Sequence, residues 1–110
     1  MTDIPIVNEF RQLARRGQLA SKEQWAALRQ FMEESQPDFV SHISQLTYQE
    51  IDVCLLIHEG FTPQEIAVLS GVSQQRITDL RANINRKLFG QHGARDLEKN
   101  LAGFGNSVTS

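Results

Sequence analysis

The stretch Phe61–Leu88, FTPQEIAVLSGVSQQRITDLRANINRKL, carries the signals of two helices joined by a tight turn. The first helix opens with a capping box that has proline at the first helical position: Thr62, Pro63, Glu65. Gly71 permits the positive φ that ends a helix, and Ser73 caps the helix that follows. The second helix has one apolar stripe: Ile77, Leu80, Ile84, Leu88. This layout is typical of a helix-turn-helix, whose second helix enters a DNA major groove.

The composition favours one all-α domain. The chain has 110 residues, of which 40% are hydrophobic, enough for a modest core. No strand-length run alternates apolar and polar residues, and no apolar run of about 18 residues predicts a membrane span. The N-terminus lacks the pattern of a secretory signal, and a single cysteine, Cys54, fits a reducing compartment. We therefore expect a cytoplasmic protein without membrane contact by this segment.

Charge is distributed unevenly along the chain. Between Ser73 and Gly90, four basic residues stand against Asp79 alone, a net charge of +3. Those four residues are Arg76, Arg81, Arg86 and Lys87. Since the whole chain carries −2, the remainder carries −5. This segregation suits a helix that binds a polyanion on an otherwise acidic body.

Residues 1–44 are predicted to form a helical hairpin. The first helix, 4–16, has an apolar repeat and ends at Gly17: Ile6, Phe10, Leu13, Ala14. Ser21 and Gln24 form a capping box for the second helix, whose stripe is Trp25, Leu28, Phe31 and Met32. Pro37 interrupts it, and a short third helix or turn follows. The hairpin is too small to hold its own core, so it packs on the motif or at a dimer interface.

Residues 45–101 are predicted to form the motif domain. A third capping box, Thr47 with Glu50, begins a helix that is apolar nearly all round from Ile51 to Ile57 and is therefore buried. After the two motif helices, we expect a short helix over 94–101, with Leu97 and Leu101 inward. Residues 102–110 lack apolar periodicity and are predicted to be a flexible tail.

The outward face of the second motif helix can be placed from its buried stripe. A rotation of about 100° per residue turns a set of four side chains outward: Gln75, Asp79, Ala82, Arg86. Thr78 and Asn83 flank that face. In a DNA complex five of these side chains would lie near bases: Gln75, Thr78, Asp79, Ala82 and Asn83. The basic residues would contact phosphates: Arg76, Arg81, Arg86 and Lys87.

The run from Leu46 to Leu88 resembles the DNA-binding domain of LuxR/NarL-type (GerE-like) bacterial transcription regulators. It covers about two fifths of the chain. The matching residues are Leu46-Thr47, Glu50, Ile57-x-x-Gly60-Phe61, Glu65-Ile66-Ala67, Leu69-x-Gly71-Val72-Ser73, Ile77 and Ile84-x-Arg86-Lys87-Leu88. The chain departs from the family at Thr78 and Leu80, where the family often has lysine and histidine.

The resemblance implies a tetrahelical LuxR-type helix-turn-helix, preceded here by the helical hairpin, with helix 74–89 as recognition helix. It also implies binding of double-stranded DNA at paired half-sites by a homodimer. Such domains often stand at the end of longer sensor proteins and work with RNA polymerase. The DNA-binding set is then Gln75, Arg76, Thr78, Asp79, Arg81, Ala82, Asn83, Arg86 and Lys87. The family's base-facing places fall on Thr78, Asp79 and Ala82, none of which is basic.

Two other binding functions stay open at this point. The scaffold could be a protein-interaction module for another regulator or a polymerase subunit, or a sigma-factor-like promoter-recognition domain. Catalysis is not expected, because no nucleophile motif or phosphate loop is present. The three histidines are far apart and only one cysteine exists, so neither a metal nor a cofactor is expected.

Overall fold

The structure is a computed structural model that describes residues 5–93 and 96–105, with side chains as far as residue 101. The described residues form helices and no strand: α1 Pro5–Arg16, α2 Lys22–Ser35, α3 Pro37–Ile43, α4 Tyr48–His58, α5 Pro63–Ser70, α6 Gln74–Phe89 and α7 Leu97–Gly105. The all-α class is confirmed for this part of the chain. The predicted helix start at Ile4 lies outside the described residues.

Local sequence signals set the helix ends. All three predicted capping boxes are present, each with both reciprocal hydrogen bonds: Ser21 with Gln24, Thr47 with Glu50, and Thr62 with Glu65. Gln36, before Pro37, leaves the helical region at φ −136° and separates α2 from α3. These contacts lie within three residues of each helix start, which explains why the sequence alone predicts them.

The predicted pair of helices with a tight turn is confirmed. Gly71 follows α5 with φ 71°, a left-handed conformation that favours glycine. The Ser73 hydroxyl then accepts a hydrogen bond from the backbone N–H of Arg76, 3.1 Å away, and starts α6. Gly90, with φ 67°, ends α6. The three residues between α5 and α6 therefore leave little freedom in the orientation of α6 relative to α5.

One hydrophobic core joins all the helices. Val53–Ile57 in α4 are buried without a break, as expected for a helix that is apolar on every side. Phe10 of α1 and Leu28 of α2 are fully buried in the same core as Ile66 of α5 and Ile84 of α6. The N-terminal hairpin therefore packs on the motif helices within one protomer.

Polar contacts fix the N-terminal hairpin against the motif. The backbone N–H of Ala20 donates to the carbonyl of Leu69, 3.2 Å away, so the α1–α2 loop lies on α5. The guanidinium of Arg11 donates to the carbonyl of Glu59 at 2.7 Å and lies over the ring of Phe61. The contacts of Arg11 hold the α4–α5 connection, which sets where the motif begins.

The C-terminal helix differs in its bounds from the prediction of 94–101. Asp96 has φ 67°, a left-handed conformation incompatible with a helix running through it, so α7 starts at Leu97. Leu97 and Leu101 are buried, as predicted. The helix continues to Gly105 because extending an anchored helix avoids a new nucleation cost. Residues 106–110 of the expected tail lie outside the described residues.

Candidate nucleic-acid interface

The side chains of α6 divide into an inner stripe and an outer face, largely as predicted. Ile77, Leu80 and Ile84 are buried, and Leu88 is half-buried. The exposed members of the expected DNA-binding face are Gln75, Thr78, Asp79 and Arg86, while Ala82 and Asn83 are half-buried. The structure therefore brings the six expected base-facing and flanking side chains onto the outer side of α6.

Arg81 is engaged by α7. Its Nη2 atom lies 2.8 Å from Oε1 of Glu98, and Nη1 contacts the other carboxylate oxygen in a two-pronged ion pair. The hydrogen bonds from Arg81 lower the pKa of Glu98. The Arg81 side chain is only 12% exposed. Its charge is therefore compensated within the protein, on the α7 side of the outer face.

Lys87 is engaged on the other side of α6, by α4. Its Nζ atom lies 2.9 Å and 3.0 Å from the two carboxylate oxygens of Glu50. Glu50 is only 3% exposed and also accepts from the backbone N–H of Thr47. Burial by itself would raise the pKa of Glu50, but the hydrogen bonds from Lys87 and Thr47 lower it overall. Lys87 thus balances a buried carboxylate.

The other two cations keep their charge available. The Nη2 atom of Arg76 donates to the side-chain oxygen of Gln49 at 3.0 Å, a neutral partner. Arg86 is exposed, and within the described residues no acidic side chain forms an ion pair with either arginine. Of the four basic residues expected to meet phosphate, Arg76 and Arg86 are therefore the two without a compensating carboxylate.

Asp79 has a different helical partner from the one its spacing to Arg76 allows. The Nε2 atom of Gln75 donates to Oδ1 of Asp79 at 3.1 Å. Arg76 instead points toward α4, because its position on the helix lies on the flank beside Gln49. Thr78 donates its hydroxyl proton to the backbone carbonyl of Gln74, 3.1 Å away. The first two turns of the outer face are thus ordered by their own hydrogen bonds.

Asn85 is a site residue that sequence reasoning missed. It is fully buried, donates to the carbonyl of Gly93 at 3.1 Å and accepts from Nδ2 of Asn100 at 3.0 Å. These bonds hold the α6–α7 connection and place Glu98 beside Arg81. No periodicity signal marks Asn85, because an asparagine next to an apolar stripe is ordinarily a surface residue.

Neither a reactive cysteine nor a cluster of metal ligands is found among the described residues. Burial raises the pKa of the Cys54 thiol, with a smaller contribution from the charge of Glu50, so this cysteine is an inert core residue. Within residues 5–93 and 96–105, no three His, Cys, Asp or Glu side chains are grouped closely enough to hold a metal ion. None of the described helices is long and apolar enough to cross a bilayer.

Comparisons of the chain with protein-family models, with curated proteins and with solved structures gave no match. The likeness to LuxR/NarL-type domains therefore stays a hypothesis drawn from sequence motifs.

Proposed function

We propose that the chain is a DNA-binding output domain of a bacterial transcription regulator, with α6 as the recognition helix of a LuxR-type helix-turn-helix. The observation that carries the proposal is that one polar face of α6 is left uncovered by the other helices. The inner stripe of α6 is anchored in the core, and Lys87 and Arg81 tie its two flanks to α4 and α7. A helix held on three sides presents only its fourth to a ligand.

The dimensions and chemistry of that face suit a major groove. The 16 residues of α6 make a rod about 24 Å long, and a B-DNA major groove about 12 Å wide admits one α-helix. Polar side chains able to reach base edges project from its first two turns. Arg76 and Arg86 lie near opposite ends of α6 and are available to phosphates on either side of the groove.

The ion pairs of Arg81 and Lys87 lower the expected electrostatic contribution. Four phosphate contacts would give a steep dependence of affinity on salt, with a log–log slope beyond −3 per protomer. With only Arg76 and Arg86 uncompensated, two phosphates would be neutralised and the slope would be about −2 per protomer. We accordingly propose weak binding by one protomer, with a homodimer on paired half-sites supplying the affinity.

A protein-interaction module is the second candidate, and the same ion pairs favour it. The outer face of α6 carries Asp79 and Arg86 with opposite charges, so little net positive charge faces outward. Faces of mixed charge are common in protein interfaces, where charge pairs fix orientation. In that case the partner would be another regulator, an upstream sensor domain or a subunit of RNA polymerase.

Salt-dependent binding to duplex DNA distinguishes the two candidates. Fluorescence anisotropy with a labelled mixed-sequence duplex would be measured over a salt series for the parent, Arg86→Gln and Arg16→Gln. Arg16 is an exposed arginine at the end of α1, so its replacement removes the same charge away from α6. We expect Arg86→Gln to weaken binding and to make the log–log salt slope less negative by about 0.9. Arg16→Gln should leave both the affinity and the slope unchanged.

Two results would count against DNA binding through α6. Equal effects of the two arginine variants would indicate diffuse attraction to the protein surface rather than a groove contact. No binding at low salt, by a protein that circular dichroism shows to be folded, would favour the interaction module.

A further inference from the structure

The hydrogen bond that Thr78 makes within α6 determines which hydrogen-bonding groups its side chain can offer to a ligand. A backbone carbonyl can only accept, so Thr78 must be the donor in its hydrogen bond to Gln74. A hydroxyl has a single proton, and this bond uses it. What Thr78 presents to a ligand is therefore an oxygen lone pair, together with its methyl group.

Gln75 and Asp79 are constrained in the same way. An ionised carboxylate only accepts, so Gln75 must turn its amide nitrogen toward Asp79, and this fixes the amide orientation. The amide oxygen of Gln75 then points away from the carboxylate with both lone pairs available. The second oxygen of Asp79 is also an acceptor. Asp79 thus has two roles, as an acceptor itself and as the residue that orients Gln75.

The nearby side chains that donate strongly are directed elsewhere. Arg76 donates to Gln49 on α4, and Arg81 forms its ion pair with Glu98 on α7. Arginine reads guanine by donating to O6 and N7, so these contacts turn the usual guanine readers away from the first two turns. The surface formed by Gln75, Thr78 and Asp79, here called the acceptor face, therefore offers mainly lone pairs, with the second amide N–H of Gln75 as its remaining side-chain donor.

An acceptor face selects bases by whether their groups donate or accept hydrogen bonds. In the major groove, adenine N6 and cytosine N4 are exocyclic amines that donate, whereas guanine O6 and N7 and thymine O4 accept. We propose that the acceptor face recognises exocyclic amines, so that α6 selects adenine or cytosine on the strand it contacts and rejects guanine and thymine. This inference rests on the proposed function, because it assumes that α6 enters the groove.

Selection of bound duplexes from a random pool tests the inference, using the full chain at one stated low salt concentration. The key variant is Asp79→Asn, which has the same shape but adds amide donors, so that Gln75 need no longer turn its nitrogen toward position 79. Glu33→Gln on α2 makes the same change in net charge at an exposed residue outside α6 and serves as control. We expect the parent to enrich one base pair about fivefold or more relative to the other pairs at one or two positions. Asp79→Asn should remove most of that enrichment, and Glu33→Gln should retain it.

Removal of one amine group from a DNA base provides the second measurement. Replacing a selected adenine by unsubstituted purine removes the N6 amine from the major groove and leaves N7 in place. We expect affinity to fall about fivefold or more at a selected position, and to be unchanged when the same substitution is made outside the selected site.

The possible failures are distinguishable. Full affinity for the duplex that lacks the amine at a selected position would overturn the acceptor face, as would an unchanged base profile for Asp79→Asn. In either case DNA binding itself would stand. Recovery of no duplex by the folded protein would instead reject DNA binding, and this inference with it.

Discussion

The Nζ atom of Lys87 lies 2.9 Å from Oε1 of Glu50, which joins the last turn of α6 to the first turn of α4. Glu50 is also the closing residue of the α4 capping box. One carboxylate therefore completes a helix start and fixes the position of the candidate recognition helix. Since Glu50 is buried, its charge depends on Lys87 for compensation.

The first prediction concerns this pair. Lys87→Met should lower the free energy of unfolding by about 1–2 kcal/mol, because it leaves a carboxylate buried without its cation. The cost stays below that of a fully buried pair because the Lys87 side chain is 38% exposed. Lys99→Met, at an exposed lysine of α7, is the matched control. Urea denaturation of both variants measures the difference, and equal values would mean that the pair contributes nothing.

The second prediction concerns acid stability. The folded-state pKa values of Glu50 and Glu98 lie below the ordinary value of 4.5. The unfolded chain therefore binds protons first, so this stabilisation is complete above about pH 4.5–5 and is lost as pH falls through the folded values. Asp52 acts in the opposite direction, because burial raises its pKa despite the hydrogen bond from Arg29.

Single variants separate the contributions of the individual carboxylates more clearly than the pH dependence of the parent's stability does. Glu98→Gln should reduce the loss of stability between pH 5 and pH 3, a range that spans the ordinary glutamate pKa. Glu33→Gln makes the same charge change at an exposed residue that forms no ion pair within the described residues, and it is the matched control. Thermal or urea unfolding across that range is the measurement, and indistinguishable curves would contradict the assignment.

The third prediction links α7 to DNA affinity. In the proposed function, Glu98 competes with phosphate for Arg81, so Glu98→Gln should remove a charge that compensates this cation beside the groove. We expect binding to tighten a few-fold at low salt and the salt slope to steepen by about 0.9 per protomer. A salt series of anisotropy titrations measures both. Glu33→Gln makes the same charge change elsewhere, and an equal effect from it would assign the gain to net charge alone.

The fourth prediction concerns the N-terminal hairpin. Phe10 is fully buried and meets Trp25 edge to face, with ring centroids 5.0 Å apart. Truncation of a large aromatic side chain in a packed core costs about 3–5 kcal/mol, but Trp25 is only half-buried. We therefore expect Phe10→Ala to cost about 3–5 kcal/mol and Trp25→Ala clearly less. Urea denaturation would contradict this ranking if Trp25→Ala proved the more damaging.

Much of the fold could be predicted because its determinants are local. Capping boxes act within three residues, a glycine with positive φ ends its own helix, and the spacing of apolar residues shows which side of a helix is buried. These rules predict α2, α4, α5 and α6 and the outward direction of Gln75, Asp79 and Arg86. They fail at the start of α7, where Asp96 adopts a left-handed conformation that no local pattern predicts.

The electrostatics of the candidate site were decided by the tertiary structure. The sequence determined that α6 carries four basic residues and which of its residues face outward. It could not determine that Arg81 meets Glu98, 17 residues away, or that Lys87 meets Glu50, 37 residues away. Those pairings exist because α4 and α7 pack on the two sides of α6, and a through-space distance between helices is not encoded in any local pattern. Periodicity determines the face of a helix, but only packing determines which of its charges remain for a ligand.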